Sequence, residues 1–265
     1  MSDMTKRVCI FVDGENLRHV IGDLFTRAQF DPRDYLPEQA DWTGFFDDLV
    51  YRATGGNGER IRAYWYVVQQ VDPFPVSALA TGRIPRRQVN LALGNRLMCD
   101  SLGIESLADL AAKADEIRAF LNRGADTIRA RFESFLRAQD RISAAHRSVE
   151  FRRSGSIGYN VLSARFGEEK TVDVNLAVDM IMLRDIYDVA VILSGDQDYL
   201  PAVSAIKNFG KIVINVAFLT RGGSLLPGGA RRLNQATDWS MSVSYEDVRR
   251  HLGLPSLEEA EAREH

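Results

Sequence analysis

The chain has few of the residues that cross-link or cage. Its 265 residues include two cysteines, Cys9 and Cys99, with no CxxC pair and no metal-ligand cluster around either. That excludes a disulfide framework and a thiolate zinc site, and it fits a reducing compartment. Histidine is scarce too: His19 falls inside a helical pattern and His146 inside a long helical stretch, so neither is placed to act as a general base. No apolar run approaches the roughly 20 residues that cross a bilayer. The N-terminus lacks the charged, apolar and cleavage-site order of a secretory signal. A cytoplasmic protein with no membrane partner is therefore expected. The formal net charge of -3 names no partner by itself. The glycine-rich stretch 222–229 does not have the spacing of a phosphate-binding loop.

What the chain does have is carboxylates at the ends of apolar runs. Val189 to Leu193 is a continuous apolar stretch of strand length, suited to a strand covered on both faces. Ser194-Gly195 turns the chain, Asp196 and Asp198 follow, and then Leu200, Val203 and Ile206 mark a helix with Pro201 in its first turn. Val8 to Val12 repeats the design: an apolar strand, the turn Asp13-Gly14-Glu15-Asn16, then Leu17, Val20, Ile21 and Leu24 at helical spacing. Capping of the helix after Tyr199 by Asp198 would account for one carboxylate, but that loop carries two. In open α/β sheets, the carboxyl edge of the strands is where ligands bind.

A third acidic stretch, Glu169 to Leu183, starts a helix with Leu176, Met180 and Leu183 on one face and Thr171 or Asp173 as its cap. Asp173 and Asp179 are six residues apart, so they point about 120° apart around the helix. Asp173 is the candidate for the sheet edge, and Asp179 the one to hydrogen-bond a neighbouring loop. Several unpaired carboxylates at one edge repel each other, and a divalent cation relieves the repulsion. All-oxygen ligands suit Mg²⁺ or Mn²⁺.

Strands are predicted near 7–12, 61–67, 189–193 and 212–217 in a parallel sheet, a helix over 42–51, a loop over 30–40, and a last helix or edge segment over 231–239. Between about 74 and 153 the α/β rhythm is interrupted by a mostly helical insertion. Positions 107, 114, 121, 128, 135 and 142 are apolar at seven-residue intervals. They belong either to one long helix or to an αα-hairpin broken near Asn122-Arg123-Gly124. The stripe packs on the domain or on a second subunit, which leaves a homodimer open. Residues 83–153 hold thirteen Arg and one Lys against nine Asp and Glu, a surplus of +5 in a chain of -3. That charge suits either a grip on a phosphate backbone, through Arg83, Arg86, Arg87, Arg152 and Arg153 with Lys170, or a solvated helix face.

Three motifs in order, Phe11-Val-Asp-Gly-Glu-Asn-Leu17, Lys170-Thr-Val-Asp-Val-Asn-Leu-Ala-Val-Asp179 and Leu193-Ser-Gly-Asp-Gln-Asp-Tyr199, with Gly210-Lys211 and the strand after it, resemble the NYN domain of the PIN-like nuclease superfamily. The resemblance covers about 6–70 and 155–245 and leaves the basic insertion unexplained. It implies a three-layer α/β/α fold around a parallel sheet, occupying 1–245 around the insertion, with 246–265 as a tail. It also implies metal-dependent hydrolysis of phosphodiester bonds, usually in RNA. Asp13, Asp173, Asp196 and Asp198 would form the acidic cluster around Mg²⁺ or Mn²⁺, and Asn16, Ser194 and Asp179 would orient it. Two other functions fit the same residues: a non-catalytic scaffold that keeps the acidic pocket, and a small-molecule phosphatase or phosphotransferase using Lys170 and Ser194.

Overall fold

β1 (Lys6–Asp13) forms because Val8 to Val12 lose all contact with water between two parallel neighbours. One neighbour is β2 (Gly58–Phe74), the other β5 (Val189–Leu193). β5 pairs in parallel with β6 (Ile212–Phe218), and β6 with β7 (Trp239–Val243). With β3 (Val149–Asn160) and β4 (Arg165–Phe166) the sheet has seven strands in the order β4-β3-β2-β1-β5-β6-β7. It is mostly parallel, with β3 and β4 antiparallel, so the protein is a mixed α/β fold. The computed structural model describes residues 4–25, 37–74, 88–168, 171–220, 222–226 and 230–253. The four predicted strands are present, and β2 runs further than expected, to Phe74.

The chain divides into two compact units. The larger comprises 1–67, 137–154 and 171–265, and the smaller 68–136 and 155–170. In the larger unit α1 (Gly14–Phe25) follows β1 directly. α2 (Trp42–Thr54) is capped by Asp41, which accepts the Gly44 N–H at 2.8 Å, and it ends at left-handed Gly55. Its buried face, Trp42, Phe45, Phe46, Leu49, Val50 and Ala53, has the helical spacing read from sequence. Arg7 at the start of β1 is paired with Asp188 just before β5 at 2.8 Å, and that partner holds the Asp188 carboxyl down to about 2.

The smaller unit has its own core. α3 (Val89–Gly94), α4 (Arg96–Leu102), α5 (Leu107–Ala112) and the first part of α6 (Ala114–Ala145) gather Ala92, Met98, Cys99, Ile104, Leu110, Ile117, Leu121 and Ala125 with Val161 and Leu162. α5 opens with a capping box between Ser106 and Asp109.

α6 is one unbroken helix through Asn122-Arg123-Gly124, so the hairpin alternative is not what forms. The seven-residue stripe is its seam only in part, with Leu121 and Ile142 buried and Ala114, Ile128 and Phe135 half-buried. Leu107 lies in α5 and is 63% exposed, and the residues α6 buries most in the smaller unit are Ile117, Leu121 and Ala125. Those follow the four-residue step of a straight helix, which drifts away from a strict heptad. The predicted insertion also contains more strand than expected, since β2 enters it and β3 begins inside it at Val149.

The remaining helices return to the larger unit. α7 (Thr171–Met182) buries Val172, Leu176 and Met180. α8 (Leu200–Asn208) has Pro201 in its first turn, as predicted. α9 (Ala230–Ala236) precedes β7, so the 231–239 segment is both helix and edge strand. α10 (Tyr245–Leu252) carries a Ser244–Asp247 capping box and buries Tyr245, Val248 and Leu252, so residues 246–253 are part of the fold and not a tail. Among the described residues no helix is long and apolar enough to cross a membrane.

Candidate functional site

The parallel register fixes where the carboxylates go. Val12 pairs with Leu193, so Asp13 and the loop after β5 leave the sheet at the same carboxyl edge. Asp13 is 4% exposed. Its Oδ1 accepts the Asn16 backbone N–H at 3.0 Å, so part of its work is to hold the first turn of α1. Its Oδ2 accepts the Ser194 hydroxyl at 2.8 Å. Ser194 Oγ in turn accepts the Asp196 N–H at 3.0 Å, and Asp196 Oδ1 accepts the Asp198 N–H at 2.9 Å. Asp196, not Asp198, is therefore the residue that caps the turn leading into α8. The carboxylate two residues earlier can curl back onto an exposed amide, and the sequence pattern alone does not distinguish the two.

Tyr199 joins the third motif to this chain of bonds. Its buried hydroxyl lies 2.8 Å from Asp173 Oδ1 and 3.3 Å from Asp13 Oδ2. These two contacts keep the two carboxylate oxygens within about 6 Å of each other. A hydroxyl has one proton. The shorter bond to Asp173 takes it, and the longer contact to Asp13 is the weaker of the two. Burial first, then the Asp173 and Asp196 charges, raise the Asp13 carboxyl from 3.8 to about 6, against the lowering pull of the Asn16 N–H and Ser194. Burial, followed by the Asp13 and Asp173 charges, pushes the Tyr199 phenol far up, so it stays protonated and stays a donor.

The structure thus brings Asp13, Asp173, Asp196 and Ser194 together. Asp198 sits on the exposed side of the turn. Asn16 contributes its backbone amide to Asp13. Sequence reading gave Tyr199 no role, because an aromatic residue ahead of a helix reads as core. Its position directly after two aspartates at a strand end was the available signal.

Asp179 faces elsewhere, as its helical offset requires. It accepts the Tyr66 hydroxyl at 2.9 Å and Arg152 Nη1 at 2.8 Å, so its partners are on strands and not on a loop. Arg152 also bonds Glu150 at 3.0 Å and lies 4.5 Å over the Tyr64 ring. Arg153 reaches Gln139 at 2.8 Å and Asp140 at 2.6 Å. Both guanidiniums, expected on nucleic acid, are held by the protein's own acceptors. A charge count along the chain cannot see such partners. Arg83, Arg86, Arg87 and Lys170 lie outside the described residues.

A mostly parallel α/β sheet with carboxylates at its carboxyl edge has the arrangement in which open α/β folds place their ligand sites. Residues 95–226 match the family described as NYN domain, and the chain is an NYN domain protein. The matched span includes the second and third acidic motifs and stops short of the first. No curated protein matches the chain. Among solved structures it is similar to a protein of unknown function from Vibrio parahaemolyticus, at 15% identity over 92% of this chain and 96% of that one, with a TM-score of 0.42.

Proposed function

We propose that this protein is a divalent-metal-dependent nuclease that hydrolyses phosphodiester bonds in RNA, built as a three-layer PIN-like domain interrupted by the smaller unit. The observation that supports it best is the Tyr199 hydroxyl set between Asp13 and Asp173, with Asp196 tied to the same Asp13 through Ser194. Three carboxylates are carried there by three separate elements. Membership of the NYN family points the same way.

The donor set fits a hard cation, because every candidate ligand is an oxygen, and burial followed by the Asp173 and Asp196 charges raises the Asp13 carboxyl. Among the described residues no group of three or more His, Cys, Asp or Glu is gathered tightly enough to cage an ion. Mg²⁺ is commonly held by one or two carboxylates with waters in its other positions. Asp173 and Asp196, both half-buried, are the reachable holders, with Asp13 behind them. A bound divalent cation would supply positive charge to the phosphoryl group and offset the carboxylates.

The chain's own residues do the rest. Tyr199 and Ser194 fix the carboxylates by donating to them, which preorganises the cluster without adding positive charge. With no histidine in this network, an aspartate oxygen is the group that takes the proton of an attacking water. The phosphatase alternative loses support, because the Ser194 hydroxyl is already donated to Asp13. The test is cleavage of a labelled single-stranded RNA with EDTA, Mg²⁺ or Mn²⁺. Cleavage should need the cation and fall at least about a hundredfold in Asp173→Asn and in Asp196→Asn. Cleavage that is absent under all three conditions, or unchanged in both variants, refutes the proposal.

A further inference from the structure

The smaller unit contains a groove of about 780 Å³, walled by residues 90–97, 120–127 and 159–165. Arg96 at the start of α4, Arg123 on α6 and Arg165 on β4 line it, together with Phe120 and Tyr159. No Asp or Glu does, among the described residues.

Arg123 differs from the arginines on either side of it. On α6, Arg118 pairs with Asp115 and Arg129 with Asp126, whereas Arg123, between them, has no carboxylate partner among the described residues. Its guanidinium carbon lies 6.0 Å from the Phe120 ring centroid. Arg96 and Arg165 are likewise exposed and without an ion pair among the described residues. A folded surface ordinarily intersperses charges of both signs. Three guanidiniums lining one concave surface that lacks a carboxylate make a local positive field focused by low-dielectric walls.

The geometry points to this groove as a binding site for single-stranded RNA. Guanidiniums take phosphate oxygens in bidentate fashion. The two aromatic rings select the form of the strand, because unpaired bases stack on aromatic and guanidinium planes while a duplex keeps its bases inside. Nearby polar groups, Asn90, Thr127 and Ser163, can hydrogen-bond sugars and base edges. None of these residues belongs to the acidic cluster. The site shares only its ligand class with the nuclease reading and survives if the cluster proves inert.

The test is a binding measurement in EDTA, where no hydrolysis intervenes. Fluorescence anisotropy of a short labelled RNA strand is followed across a range of KCl concentrations, for the full chain and for R96A/R123A/R165A. Loss of three phosphate contacts should weaken binding at least about tenfold and lower the slope of log K against log salt by about 2. Thermal melting should not move, since these side chains are exposed. Should the triple variant not fold, each single variant should lower the slope by about 0.7. An RNA duplex and inorganic polyphosphate are the comparison probes, and both should bind more weakly than the single strand. Unchanged affinity and slope in a folded variant would overturn the site. Equal binding of the duplex or of polyphosphate would overturn its assignment to single strands.

Discussion

Tyr199 donates its hydroxyl to Asp173 at 2.8 Å, so the residue after the last aspartate of the third motif fastens the helix that carries the second. Tyr199→Phe keeps the ring and removes that donor. The Asp173 and Asp13 oxygens then lose a partner in a mostly buried place, at a cost of about 1–3 kcal/mol. Urea unfolding should show this as a lower midpoint with an unchanged slope. A change below about 0.5 kcal/mol would mean that the hydroxyl is not holding the carboxylates.

The raised Asp13 carboxyl makes stability depend on pH with a definite sign. The folded state holds its proton to about 6, while the ordinary value is 3.8, so the folded state binds more protons in that window. Stability therefore falls as pH rises from about 4 to 6, and the full penalty, on the order of 3 kcal/mol, is present at pH 7. Asp13→Asn removes the ionisation at the cost of one acceptor. It should be more stable than the parent at pH 7.5 by about 1–2 kcal/mol and no more stable below pH 4. Chemical denaturation at several pH values checks this, and parallel curves for the two proteins would contradict it.

Two glycines should respond in opposite directions to alanine. A Cβ on Gly14 would meet the Tyr66 carbonyl oxygen at 2.4 Å and Val67 Cγ1 at 2.8 Å, so the turn after Asp13 passes too close to β2 for any side chain. Gly14→Ala should cost about 3 kcal/mol or more. A Cβ on Gly124 meets nothing within 4 Å, in the middle of α6. Gly124→Ala should add about 0.5–1 kcal/mol by removing backbone freedom from the unfolded chain. Thermal melting of both variants is the measurement.

Arg152→Ala should destabilise the protein while leaving RNA affinity unchanged. It removes a guanidinium shared by Asp179 and Glu150, at about 1–2 kcal/mol after allowance for partial solvent exposure. Weakened RNA binding with unaltered melting would restore the role that the charge pattern suggested.

The sheet was legible in the sequence because buried parallel strands read as unbroken apolar runs, as Val8–Val12 and Val189–Leu193 do. Asp13, Asp173 and Asp196 were legible because polar residues at strand ends and helix starts have few places to go. Less legible were features that depend on partners far along the chain. Arg152 finds Asp179 across 27 residues, and Ser194 finds Asp13 across 181. The start of β3, Val149 to Arg153, falls in the predicted helical insertion because its arginines hide its strand character. The heptad through residues 107–142 looked continuous, yet the chain breaks between α5 and α6 at Lys113.

Each unit holds one thiol, which gives the protein a pair of internal clocks. Cys9, fully buried in β1, has its thiol pushed up to about 12 mainly by burial, and Cys99, in the core of the smaller unit, is raised as well. Neither can react with an alkylating reagent until its surroundings open. The two labelling rates, separated by peptide mass, would therefore report the opening of each unit independently, with no engineered probe.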